Sequence, residues 1–207
     1  MAGRMQPAPA PDAPMTADEI ARLFTRDGAY LCARWGRPVA PVMFGLADET
    51  LAVFRAATGA VLRDAGVEMA ETDPETAANL IAFFVRDWDE LRALRNLDRL
   101  TGIAGLPGRL AAGRANRYRL FRFDGDGAIR ACITLVRLAD TPWGTHPGPL
   151  AEALAVNALL TFARETVPSA PLAAVIRAAY DPVLPARATD ASHALRLAAR
   201  AGGEAGP

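Results

Sequence analysis

Apolar positions along this chain change period several times, and each change marks an element. Behind a Pro/Ala-rich start, Ile20, Leu23 and Phe24 fall at helical spacing. Thr16 and Glu19 precede them as an S/T-x-x-E capping box, which predicts a helix from Thr16 to about Arg26. Tyr30 to Trp35 reads as extended. RPVAPVMFG reads as a strand that Pro41, lacking an N–H, confines to an edge or bulged position. From Asp48, Leu51, Phe54, Ala57, Val61 and Leu62 predict a second helix running to Gly66. A brief VEM strand leads into the polar turn ETDPET. NLIAFFV (79–85) is a short apolar run suited to a central strand.

The second half continues the alternation of periods. Asp87 and Glu90 form another capping pattern, opening a helix that carries Trp88, Leu91, Leu94 and Leu97 on one side. Gly102 to Gly113 is glycine-rich and reads as irregular. Arg117 to Phe123 alternates, turns at Asp124-Gly-Asp-Gly127 and returns over Ala128 to Leu138, a β-hairpin whose return strand places Ile129, Ala131, Ile133 and Leu135 on one face. After the loop ADTPWGTHPG comes a helix over about 150–164, apolar nearly all round and therefore central. Helices over about 171–180 and 190–201 close the chain. This order predicts an α+β fold: a small twisted mixed or antiparallel sheet with a hairpin, packed against several helices. One domain is expected over 16–201, with a flexible Pro/Ala leader at 1–15 and a disordered tail at 202–207.

Composition narrows the function classes. The 207 residues are 51% hydrophobic and 22% charged, with zero formal net charge, so the chain has enough apolar surface to fold. All 23 basic residues are arginine, but equal numbers of acids leave no basic excess of the kind a nucleic-acid binder carries. No uncharged apolar run reaches the ~18 residues of a membrane span. The start has no apolar core of a signal peptide, although its Pro/Ala texture is of the kind that follows a removed signal or lipid anchor. A trimmed start therefore predicts a periplasmic or secreted protein, an authentic Met1 a cytoplasmic one. Cys32 and Cys132 permit one disulfide, whose loop closure would contribute about 4–5 kcal/mol. Both sit in apolar strings, where buried free thiols are equally at home.

Chemistry-bearing residues are sparse. His146 lies in a Pro/Gly loop and His193 near the start of the last helix; without an H-E-x-x-H pair they make no zinc site, and no metal or cofactor is expected. Asp124-Gly-Asp-Gly127 lacks the later oxygen ligands of a calcium loop and reads as the hairpin turn. GIAGLPG (102–108) lacks the preceding strand and following lysine of a phosphate cradle. Glu152 is the one candidate catalytic acid. It shares a helix stripe with Val156, Leu159 and Ala163, or it simply complements the dipole in the first turn. Asn157 is placed to hydrogen-bond a neighbouring strand or loop. Trp35 and Trp143 flank Pro/Gly loops as groove walls or loop anchors, and Tyr180-Asp181 ends a helix before Pro182.

Three segments resemble a family of mostly exported, uncharacterised proteobacterial domains: RWGRPVAPVMFG, ANLIAFFV and PLAAVIRAAYDPVLPARAT. The resemblance implies a distant zincin-like, metallopeptidase-like architecture with an acidic active-site helix upstream of the Tyr-Asp-Pro segment. Here the matching helix is PLAEALAVNALLTF, in which Glu152 alone stands for the acidic pair and no histidine accompanies it. Catalytic zinc takes three protein ligands, which this helix does not supply. The expectation is a non-catalytic globular protein binding a protein or cell-envelope partner. The alternatives are a hydrolase with Glu152 as general base and a cytoplasmic regulatory domain.

Overall fold

The computed structural model describes residues 13–71, 78–138 and 146–203. The leader to residue 12, most of the ETDPET turn, Trp143 with most of its loop, and the last four residues lie outside the described residues.

Helix α1 (Ala17–Phe24) opens on the expected capping box: Glu19 N–H donates to Thr16 Oγ1 at 3.3 Å, and Thr16 N–H donates to Glu19 Oε2 at 2.8 Å. Ile20 and Phe24 are its buried face. A two-residue hairpin, β1 (Thr25–Arg26) and β2 (Ala29–Tyr30), turns through Asp27 and Gly28, both at positive φ. The chain stays extended through β3 (Cys32–Ala33) and reaches β4 (Pro41–Phe44). Helix α2 (Asp48–Asp64) then leads to β5 (Leu80–Val85), parallel to β4. After a 3₁₀ turn (Trp88–Ala93) come two short helices, α3 (Leu97–Thr101) and α4 (Leu106–Ala112). The hairpin β6 (Arg117–Phe123) and β7 (Ile129–Arg137) follows. Helix α5 (Gly148–Leu159), α6 (Ala170–Ala179), a short β8 (Arg187–Ala188) paired with β3, and α7 (His193–Gly203) complete the fold.

The main sheet has the order β4-β5-β7-β6, with β6 antiparallel and the rest parallel. The class is α+β with a mixed sheet; Pro41 stands on an edge strand and β5 is central, as the pattern predicts. Side chains alternate across the sheet. Ile81, Phe83, Ile133, Leu135, Tyr118 and Leu120 face the 3₁₀ turn, α3 and α4. Ala82, Phe84 and Val136 pack against Phe54 of α2 and Ala151 of α5. Beyond them α1, α6, α7 and the end of α5 enclose the largest cluster, with Ile20, Val39, Ile129, Leu160, Val175 and Leu197 at its centre.

Four expectations are corrected. The central helix ends at Leu159, not near 164, because Leu160 to Ala163 leaves the helix to bond elsewhere: Thr161 N–H donates to Ala33 C=O and Ala163 N–H to Leu23 C=O. An apolar string carries no mark of that change of partner. The glycine-rich 102–113 stretch contains α4, with Gly105 in the left-handed conformation before it and Pro107 in its first turn. The helix expected behind Asp87 is a 3₁₀ turn whose threefold repeat buries Trp88 and Leu91; the chain leaves it at Leu94, which is extended and exposed before α3 begins. Finally, Ile129 does not share a face with Ile133 and Leu135. A bulge pairs Arg122 with Ala131 but Phe123 with Ile129, and this one-residue slip turns Ile129 into the opposite cluster.

The segments RWGRPVAPVMFG, ANLIAFFV and PLAAVIRAAYDPVLPARAT are fastened into the fold by structural hydrogen bonds. Asn79 Nδ2 donates to Pro38 C=O at 2.9 Å, and Asn79 Oδ1 accepts from Ala40 N–H at 2.8 Å, fastening β5 to the approach of β4. Trp35 Nε1 donates to Ala158 C=O at 2.9 Å, and Tyr180 Oη to Leu159 C=O at 2.7 Å. These bonds satisfy two carbonyls that the end of α5 would otherwise leave unpaired. Trp35 is thus a core anchor, and Tyr180 terminates two helices at once: its own and α5.

Candidate functional site

Strand β6 forms one edge of the main sheet, and its residues are set by the sequence RYRLFRF. Arg137 N–H donates to Asn116 C=O at 2.8 Å, extending the β6–β7 register by one pair and fixing its phase. Antiparallel pairs alternate between bonded and non-bonded, so Tyr118 and Leu120 spend their backbone groups on β7. The N–H and C=O groups of Arg117, Arg119 and Phe121 therefore point to the open edge, and among the described residues they meet no hydrogen-bond partner there.

The opposite wall is the extended segment that follows α5, residues 161–165, together with the β1–β2 hairpin. Between the walls runs a groove of about 750 Å³, lined by every residue of β6 except Arg122. Four arginines (26, 117, 119 and 164) line it against two carboxylates, Asp27 and Glu165. Arg119 is the deepest, with 11% of its side chain exposed. It lies 5.6 Å from the Phe121 ring centroid and donates to Phe162 C=O at 3.3 Å. Burial lowers its guanidinium below the usual arginine range, and Glu165 opposes that shift more than Arg26 adds to it. Arg26 is tied to Ala163 C=O through Nε at 3.1 Å and through Nη2. The Glu165 carboxylate bridges the cations: Arg117 Nη1 approaches Oε2 at 2.8 Å, and Arg119 Nη1 lies 3.8 Å from Oε1. Glu165 is held in place by its neighbour. Thr166 donates its N–H (2.9 Å) and Oγ1 (3.1 Å) to Asn157 Oδ1 and accepts from Asn157 Nδ2 at 2.8 Å.

Glu152 is exposed on the second turn of α5, past the first turn where a carboxylate would complement the helix dipole and outside the interior that holds Val156, Leu159 and Ala163, because the helix starts at Gly148 rather than at Leu150. It borders two cavities. One, of about 690 Å³, lies between α2, α5 and α6, and its walls are mainly alanine, valine, leucine, isoleucine and proline. The other, of about 360 Å³, also has Arg117 and Glu165 on its wall. Glu152 makes no ion pair among the described residues. Asn157, fully buried, is the structural polar residue that its position predicted.

The remaining candidates sit apart from the groove or from one another. Cys32 and Cys132 are free buried thiols, so the possible disulfide is not formed in this structure. Burial pushes the Cys32 thiol up to about 12 and that of Cys132 to about 11, which leaves both unreactive at neutral pH. His146 Nδ1 accepts from Gly148 N–H at 3.1 Å, a local loop contact. His193 is buried with Nδ1 unbonded among the described residues, and its pKa is lowered by burial and then by Arg196 and Arg200. Among the described residues no three His, Cys, Asp or Glu side chains come close enough to hold a metal ion. The Asp124 turn caps itself, Oδ1 accepting from Asp126 and Ala128 N–H, as a hairpin turn does. Asp181 Oδ2 accepts from Arg200 Nε at 2.6 Å and ties α6 to α7.

Sequence reasoning missed the groove itself. Its one signal was the alternation of arginine with aromatic and aliphatic residues in RYRLFRF, which gives the strand but not its opposite wall. No helix of the described residues is long and apolar enough to cross a membrane. Comparison with family models, with curated proteins and with solved structures yields no match.

Proposed function

We propose that this is a non-catalytic protein that binds a protein or cell-envelope partner, and that an acidic part of the partner seats in the groove along β6. The observation that carries this reading is the pairing of a nearly buried Arg119 with Arg117 beside an open strand edge. Guanidinium groups held in a fixed, partly desolvated fork match carboxylates in geometry as well as charge. Solvent-fanned surface arginines offer no such preorganisation.

The test is site-specific photo-crosslinking in cells of the source organism. A photoreactive residue replaces Phe123 at the groove or, as a control, the exposed Leu195 on α7. A discrete adduct from position 123, absent from 195 and lost in the Arg117→Ser/Arg119→Ser double variant, supports the proposal. Equal labelling at both positions, or adducts indifferent to the arginines, overturns it.

Glu152 supports a second reading, a hydrolase in which it acts as general base, because its carboxylate is exposed and borders two cavities. That reading requires hydrolysis of some ester or peptide in a substrate panel, abolished by Glu152→Gln with folding intact. Turnover unchanged in the variant dismisses it.

A further inference from the structure

We infer that the groove takes an extended acidic segment of a partner protein as a fifth strand hydrogen-bonded to β6. This rests on the binding reading above and specifies its chemistry.

The backbone argument comes first. Three residues of β6 turn their N–H and C=O groups outward without partners among the described residues, a six-group ladder ready for one more strand. The groove follows β6 nearly from end to end, so the ladder lies along its wall rather than opening on bulk solvent. A helix or a compact charged group could not use these groups, because only an extended chain presents donors and acceptors at the same repeat.

Charge then selects the segment. Side chains two apart on a strand share a face, which puts Arg117, Arg119 and Phe121 on the side toward residues 161–165. An added strand shows its own alternate side chains on that same face, so carboxylates two residues apart meet the two guanidinium groups in turn. The structure already contains a rehearsal of this contact: Glu165 reaches across the groove and places one oxygen on each arginine. A partner carboxylate replaces Glu165 there. Charged residues on an edge strand also serve to deter pairing. Arg119 does not fit that role, since it lies folded beneath Phe162 C=O instead of extending past the edge.

The probe is a pool of fluorescein-labelled peptides of about ten residues, long enough to span the ladder, with Glu fixed at alternate positions and Thr, Val or Tyr at the others. Binding is read by anisotropy on the full chain. The comparisons are the same pool with Lys for Glu, the best acidic peptide N-methylated along one edge, and inorganic polyphosphate. The acidic pool binds and the lysine pool does not. N-methylation removes donors to the β6 carbonyls and weakens binding about tenfold or more. Glu165→Gln, which frees both arginines, tightens binding severalfold. Amide exchange on binding slows at residues 117, 119 and 121 and is unchanged at 118 and 120, which are already paired. If polyphosphate and the N-methylated peptide bind as well as the parent, the groove reads charge alone; strand addition is overturned while the binding reading stands. If no acidic probe binds, or binding ignores Glu165→Gln, the groove is not the site and both fail.

Discussion

Replacing Asn157 by alanine is the sharpest test of how the groove is held. The side chain is fully buried and makes three hydrogen bonds to Thr166, at 2.8, 2.9 and 3.1 Å, plus one to Ala153 C=O at 2.8 Å. Ala153 C=O keeps its helical partner in the variant, so the loss falls on Thr166. Three net hydrogen bonds at about 1 kcal/mol each give a destabilisation of about 3 kcal/mol. Water reaching the part-exposed Thr166 recovers some of this, and the small cavity left behind removes a similar amount. At this chain length the melting temperature falls by about 6–12 °C. Urea unfolding followed by tryptophan fluorescence and scanning calorimetry both measure it. Because Thr166 positions Glu165, Asn157→Ala also loosens the bridge across Arg117 and Arg119. A loss below about 1 kcal/mol would show that these bonds are no better than those the unfolded chain makes with water, and would refute the reasoning. Asn157→Asp, nearly isosteric, fares worse than alanine: it turns a buried donor into an acceptor facing two carbonyls.

The other expected outcomes concern the core. Tyr180→Phe removes the hydroxyl that caps Leu159 C=O and costs about 1–2 kcal/mol in denaturant unfolding; no change would mean water caps that carbonyl equally well. Thiol titration finds essentially no fast-reacting cysteine in the native protein and two in denaturant without reductant. A single disulfide in that sample would contradict the buried free thiols. His193 gives a pH dependence. Its folded-state pKa is depressed by burial and by Arg196 and Arg200, so the unfolded chain binds the proton more readily, and stability falls as pH drops through the unfolded value of about 6.5. His193→Gln should flatten that part of the profile, and an unchanged slope would assign it to carboxylates instead.

Local signals in the sequence were sufficient where the partner lay close by. The Thr16–Glu19 box and the β6–β7 hairpin are each settled by neighbours close in the chain, the short apolar run of β5 marks a buried strand by itself, and each stands as read. The misplaced boundaries share a different cause. Leu160 to Ala163 extends because its hydrogen bonds go to Ala33 and Leu23, more than a hundred residues away, and a mostly apolar string is compatible with either state. Ile129 changes face because of one unpaired residue at a bulge, which no periodicity shows. The groove combines both difficulties. Its arginines were visible, but Glu165 and Arg119 belong to segments far apart in the chain, and only the fold brings them together. Glu152 drew notice as a lone acid in an apolar helix, yet that helix turns it outward.

The two edges of the main sheet oppose pairing with a second copy by different means. At β4, Pro41 removes one backbone donor. At β6 the ladder is intact, and what opposes pairing of two copies through it is electrostatic: edge-to-edge contact would bring the outer guanidinium of Arg117 against its own image. Such repulsion acts over about 10 Å at 0.1 M salt and only about 3 Å at 1 M. High salt therefore weakens the attraction of an acidic partner and at the same time lifts the barrier between copies. The safeguard is a property of the medium as much as of the fold, and concentrated protein in strong salt is where colloidal stability should fail first.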